Sequence, residues 1–363
     1  MAKGISSKNL REILGNQKLR KQLAYEDPMW FCLVYLRQCF KYPLAPFHLE
    51  MFHILKNPKY EFAVIMAFRE SGKSTIMNMA NVLWSVLGKP QKKFIVVMSQ
   101  TQEQAKNHFT NLKAELKYND LLREDFGPFT DDESEWKKMS LELIYRESKI
   151  ISVSREQSVR GIKYDSLRPD LIICDDLEDS SARSDEIKRD ELYVRFISEI
   201  LPLGSEHTRI IVLGNLICEG SLLMRLKRDI EEKGQKGVFR AYPIIDCESR
   251  ILWPGKFSNI EKVRELCKKF PRAMWIREFL LRLVWTNKDG EEPKPIIMDD
   301  VFIKKYNLSP KREAFPKQCE LIPQMKEFNI LLPDKEMIPP IISSLSVSTV
   351  SNNRDMLDLN WPS

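Results

Sequence analysis

Residues 69–75, Arg-Glu-Ser-Gly-Lys-Ser-Thr, carry the chain's clearest chemical signal. Glycine followed by lysine and a hydroxyl residue is what a loop needs to wrap a triphosphate. The glycine lets the backbone approach, backbone N–H groups cradle the phosphates, lysine reaches the β/γ oxygens, and the hydroxyl holds Mg²⁺. Lys73 and Ser74 take the last two parts, and Glu70, Ser71, Gly72 and Thr75 complete the cradle expected for ATP. The pattern G-x-x-x-x-G-K-[ST] puts its first glycine at position 67, where this chain has Ala67. Arg69, three residues before Gly72, is placed to lie over the γ-phosphate as an arginine supplied in cis.

A second reactive stretch is Asp175-Asp176-Leu177-Glu178-Asp179, which follows the apolar run Leu171-Ile172-Ile173-Cys174. Acids at the carboxyl end of a buried strand match a Walker B element. Asp175 is expected in the Mg²⁺ shell, and a neighbouring carboxylate would polarise the attacking water. Asp176 stands where many such ATPases have glutamate, whereas Glu178 has the longer reach; the reading leans slightly to Asp176. A further apolar run, Arg209–Leu213, ends in Gly214-Asn215, where the Asn215 amide would sense γ-phosphate loss. Upstream, Phe47 and His48 are either candidate base contacts or parts of a plain structural helix. His48 and His53 otherwise read as helix-surface positions rather than metal ligands.

These residues need strands and helices to position them. Ala63–Ala67 is a continuous apolar run, as expected of a strand buried on both faces of a parallel sheet. The helix after the loop is marked by Ile76, Met79, Ala80, Leu83 and Leu87, with Gly88 and Pro90 as stops. Phe94–Met98 reads as a second strand. It is followed by a helix with a Thr101-x-x-Gln104 start and a stripe of Ala105, Phe109, Leu112 and Leu116. Leu141–Val153 reads as a hairpin insertion around Glu147-Ser148-Lys149. The expected fold is α/β: a P-loop NTPase of the ASCE, RecA-like kind, with a central, mainly parallel sheet flanked by helices. The expected division is an N-terminal helical region over 1–55, an ATPase core over 56–220 and a helical lid or linker over 221–286. Residues 287–363 would form a linker and tail, with Met337–Ser363 disordered in character.

At 363 residues, 43% hydrophobic and 30% charged, the sequence describes a globular protein of one large or two smaller domains. A net charge of +6 permits a polyanionic partner without requiring one. No apolar run reaches transmembrane length, and the N-terminus lacks a signal-peptide core, so no membrane role is expected. Seven scattered cysteines without C-x-x-C spacing point to reduced thiols in a cytoplasmic setting, and away from zinc or a disulfide framework.

The set Phe68–Ser74, Val159-Arg160-Gly161, Arg168–Glu178, Gly214-Asn215 and Leu252-Trp253-Pro254 resembles the large terminase subunit of tailed phages. Resemblance extends over roughly residues 40–285, the ATPase part of that family. It implies an ATP-driven motor that acts from the host cytoplasm as a ring, of five copies, on a capsid portal. Such a motor translocates double-stranded DNA into the prohead alongside a small terminase subunit. Within the resemblance Arg69 is the loop arginine, Asp175 the magnesium aspartate and Asn215 the coupling residue. Arg160 is either a finger reaching a neighbouring subunit's ATP or an exposed loop arginine.

The departure lies at the C-terminus, where the family continues into an RNase H-like nuclease. The acidic pair Asp299-Asp300 lacks the strand-rich surroundings of a two-metal site, and Pro295–Tyr306 reads as a linker. Cutting would then fall to a separate nuclease polypeptide. Two alternatives remain from the residues alone: a helicase-like or other nucleic-acid-stimulated ATPase, and a non-catalytic remnant that binds portal or small subunit.

Overall fold

The computed structural model describes residues 7–130, 136, 139–246 and 249–282. The expected linker and tail from 287, with Asp299 and Asp300, lie outside the described residues, as does most of the acidic stretch 131–135. In chain order the helices and strands are α1 (Ser7–Gly15), α2 (Gln17–Glu26), α3 (Pro28–Tyr35), α4 (Pro46–Lys56), β1 (Phe62–Ala67), α5 (Asn81–Leu87, entered through a π-helical turn Thr75–Ala80), β2 (Phe94–Ser99), α6 (Gln102–Tyr118), α7 (Asp120–Phe126), β3 (Ser140–Leu143), β4 (Ser148–Ser154), β5 (Leu171–Asp175), α8 (Glu186–Arg195), β6 (Arg209–Gly214), α9 (Leu222–Glu231), β7 (Val238–Tyr242), α10 (Ile260–Cys267) and α11 (Arg272–Glu278).

The strands form one sheet in the order β3-β4-β2-β5-β6-β1-β7, and every pairing is parallel except β3 with β4. The fold is therefore the α/β sandwich of a P-loop nucleoside triphosphatase, with β6 lying between the loop-bearing β1 and the acid-bearing β5. Register sets the site. Asp175 lies across from Ser99 on one side and Leu213 on the other, and Met66 lies across from Gly214. The phosphate loop, the acids and Asn215 thus leave the sheet at the same edge.

Strand side chains alternate between two cores, as the two-residue period of a strand requires. Ala63, Ile65, Ile95, Val97, Leu171, Ile173, Ile211 and Leu213 face the core built with α3–α7. Val64, Met66, Val96, Met98, Ile172, Cys174, Ile210 and Val212 face the core built with the α8–α9 side. Burial on both faces explains why these strands read as unbroken apolar runs. Truncating Ile65 or Ile173, both fully buried, to alanine removes about 2–5 kcal/mol.

The helix over 102–118 forms as the sequence indicates. The Thr101 hydroxyl accepts from the Gln104 amide at 3.2 Å, and Ala105, Phe109, Leu112 and Leu116 are its buried stripe. The N-terminal helices are tied to α7 through Asp125, which accepts from Arg20 Nε at 2.6 Å and from the Tyr35 hydroxyl at 2.7 Å. Breaking that buried pair by removing one partner costs about 3–5 kcal/mol.

Two stretches differ from expectation. The 141–153 hairpin is not an insertion, because β4 pairs with β2 and so widens the main sheet. The sheet also does not stop at residue 220. β7 pairs with β1 over Ala63–Ala67, and beyond it Trp253, Val263, Trp275 and Phe279 fill the same core as α3–α6. A five-residue strand interrupted by Arg240 leaves too little apolar periodicity to stand out in a basic, helix-rich stretch.

Candidate nucleotide site

The loop after β1 is held in a conformation that side chains ordinarily resist. Glu70 has φ 63° and Gly72 φ 85°, so a glutamate occupies the left-handed region just ahead of the glycine suited to it. Two lysine contacts stabilise this turn. Lys256 Nζ donates to the Glu70 carbonyl at 3.1 Å and to its carboxylate at 3.0 Å, while lying over the Trp253 and Phe257 rings.

His48 supports the loop from beneath. Its Nδ1 accepts from the Ala45 amide at 2.9 Å, so Nε2 carries the proton and donates to the Ser71 carbonyl at 2.7 Å. Burial pushes its pKa down to about 4, which keeps the ring neutral in that role. The ring packs against Phe47 and Trp253. The residue is fully buried, so the surface reading of His48 is corrected, and no ring face is left open for a nucleotide base. A histidine on a helix with mixed polarity gives no sequence cue to such burial.

Lys73, Asp176 and Asn215 come together. Lys73 is 7% exposed; its Nζ donates to Asn215 Oδ1 at 3.0 Å and stands 3.6 Å from Asp176 Oδ2. Asp176 is the second non-glycine residue here with left-handed backbone, at φ 48°. Enclosure raises its pKa, and the Lys73 charge opposes that rise. Strain concentrated at two acidic loop positions marks this edge as a site rather than a scaffold.

Asp175 is buried. Its Oδ2 accepts from Asn78 Nδ2 at 2.5 Å and lies 3.6 Å from His108 Nε2, whereas Oδ1 is buried without a partner. An orphaned carboxylate oxygen costs on the order of 1–3 kcal/mol, which a bound cation would recover. Among the described residues no three His, Cys, Asp or Glu side chains gather as a metal cage. The Ser74 hydroxyl with a single aspartate suits Mg²⁺, which takes its remaining ligands from water and substrate phosphates.

Glu178 turns away from this group. Its Oε2 accepts from the Leu222 amide at 2.9 Å, capping the start of α9, and Oε1 is buried without a partner. Burial pushes its pKa up to about 7. Arg69 projects toward α11, where its guanidinium meets Glu278 at 2.8 Å. Arg160 lies on an exposed loop, and its ion pair is with Glu199 at 3.1 Å rather than with a phosphate-loop residue. Reading the sequence missed Asn78, His108, Lys256 and Glu278. Asn78 alone left a signal, a polar residue inside an apolar helical stripe.

No protein-family model matches the sequence, and no curated protein is similar to it. Among solved structures, the HK97 bacteriophage large terminase is similar at 19% identity and a TM-score of 0.46, over 66% of this chain and 51% of that one. A variant of the large terminase ATPase domain of Thermus phage P74-26 is similar at 14% identity and a TM-score of 0.42, over 66% of this chain and all of that one. The large terminase of a second thermophilic bacteriophage, in complex with ADP, is similar at 11% identity and a TM-score of 0.42, over 66% of this chain and 54% of that one. The matched part spans about half the length of the HK97 protein and of the ADP-bound one. All three are phage large terminases, the family that the chain's motifs resemble.

Proposed function

We propose that this chain hydrolyses ATP as the motor part of a phage large terminase. The observation that carries the reading is the convergence of Lys73, Asp176 and Asn215 beside Asp175 at the carboxyl edge of the sheet. Lys73 binds the β/γ-phosphates. Ser74 and the free oxygen of Asp175 hold Mg²⁺, which would neutralise charge on the phosphates. Asp176 orients the attacking water and accepts its proton. The γ-phosphorus–oxygen bond to ADP breaks as the water oxygen bonds to phosphorus, giving ADP and phosphate. Lys73 must exchange Asn215 for phosphate when ATP enters, so Asn215 gains or loses a partner with each turnover.

Arg69 would serve the γ-phosphate after leaving Glu278. Arg160 belongs to a mobile role between subunits or to an ordinary surface pair with Glu199; its exposure suits either. The motif resemblance supplies the rest of the reading: double-stranded DNA held through phosphates without sequence readout, a portal, a small terminase subunit and a ring of copies in the host cytoplasm. No helix among the described residues is long and apolar enough to cross a membrane.

The test is steady-state turnover of the purified chain with Mg²⁺-ATP, alone and with long duplex DNA and portal. Turnover stimulated by DNA supports the reading. No turnover in any mixture overturns it. A plasmid-nicking assay with Mn²⁺ run alongside shows whether cutting requires another polypeptide.

A further inference from the structure

Asp175 is held from two sides by residues outside the nucleotide motifs. Asn78 lies in the π-helical turn Thr75–Ala80, one turn beyond Ser74, and π-helical turns inside helices recur at functional sites. It is 2% exposed and donates to Asp175 Oδ2 at 2.5 Å. From the other side α6 supplies His108, whose Nε2 stands 3.6 Å from the same oxygen with the side chain 30% exposed. Both neighbours address Oδ2, and neither addresses Oδ1. Asn78 Oδ1 is likewise buried without a partner, so two acceptor oxygens remain unsatisfied in this corner. Buried acceptors are ordinarily paired, and two together point to a missing donor or cation.

We infer that Asn78 and His108 are positioning residues, which occupy Oδ2 of Asp175 and so present its Oδ1 to a divalent cation. The inference rests on the nucleotide-site reading above. Asn78 fixes the carboxylate rotamer by a direct hydrogen bond. His108 closes the solvent side of Oδ2, so that the carboxylate does not turn outward to water. Asn78 Oδ1 is left to accept from a cation-bound water. Neither residue touches substrate phosphates through the contacts described, which makes them distinct from Lys73 and Ser74.

The experiment measures Mn²⁺ binding to the full chain with ADP by electron paramagnetic resonance, beside fluorescent-ADP binding in EDTA. His108→Leu and Asn78→Leu are expected to weaken Mn²⁺ about tenfold or more, with metal-free ADP affinity unchanged. His108→Gln, which restores an N–H of similar reach, is expected to recover most of the loss. Because His108 is partly exposed on α6, its variants keep the fold even where Asn78→Leu does not, and circular dichroism monitors this. Mn²⁺ affinity within twofold of the parent in folded His108→Leu overturns the assignment, provided Asp175→Asn abolishes binding. If Asp175→Asn binds Mn²⁺ as well as the parent does, the metal-site reading itself fails, and the positioning roles fail with it.

Discussion

Arg69 and Glu278 are joined twice: the Arg69 guanidinium meets the Glu278 carboxylate at 2.8 Å, and the Arg69 amide donates to the Glu278 carbonyl, also at 2.8 Å. The phosphate loop is thereby tied to the last residue of α11. Half of the arginine side chain faces solvent, so the ion pair itself contributes at most about 1 kcal/mol. Glu278→Ala is expected to shift the melting temperature by no more than a few degrees and to change kcat less than tenfold. Arg69→Ala is expected to lower kcat by about 10³-fold, because a transition-state arginine is worth that much. Equal, small effects of the two substitutions on turnover would assign Arg69 to the link with α11 alone.

Lys73 is nearly buried between Asn215 and Asp176. Lys73→Ala is expected to lose turnover by about 10³-fold or more while the chain stays folded, since the alanine leaves polar partners that can reach water entering the vacated space. Stopped-flow or coupled-assay turnover with parallel thermal melts checks both halves. Undiminished turnover in this variant would remove the phosphate-loop assignment.

The parts of this site that were legible in the sequence were those with fixed local spacing. Gly72-Lys73-Ser74 is set by one loop, and Asp175 by the end of one apolar strand, so neither needs distant contacts to be recognised. Their strands were equally plain because two-sided burial writes an unbroken apolar run. What stayed hidden depends on pairs far apart in the chain. Glu278 meets Arg69 across 209 positions and Lys256 meets Glu70 across 186. His48 looks like any helix histidine until Trp253 and the Ser71 carbonyl enclose it. β7 was invisible for a related reason, since a short strand beside β1 owes its place to pairing rather than to its own pattern.

Glu178 gives a pH signature. Its carboxyl is pushed by burial from an ordinary 4.5 up to about 7, so the folded chain favours its protonated form. A raised folded pKa contributes stability that is complete below about pH 4.5 and is lost as pH rises through about 7. The Glu178→Gln variant lacks that titration and keeps an acceptor for the Leu222 amide. Its stability should match the parent near pH 4.5 and exceed it increasingly up to pH 7, by on the order of 3 kcal/mol at the plateau. Denaturant melts of both chains at pH 5, 6, 7 and 8 measure the difference, and groups common to both cancel. A difference that does not vary with pH would mean that the buried carboxyl titrates normally.

The same geometry separates the two candidate bases. Asp176 sits beside the Lys73 ammonium with its side chain 39% exposed, and enclosure strengthens its hold on a proton, as a general base requires. Glu178 is committed to the first turn of α9 and is closed from solvent. Asp176→Asn is therefore expected to lower kcat by about 10²–10⁴-fold with the KM for ATP little changed, since the amide preserves shape but accepts no proton. Glu178→Gln is expected to keep kcat within a few-fold, because its bond to Leu222 survives the change. The reverse outcome, with Glu178→Gln inactive and Asp176→Asn active, would require Glu178 to leave α9 before hydrolysis. In that case α9 would be released once per turnover, and hydrogen exchange at the Leu222 amide would rise with added ATP.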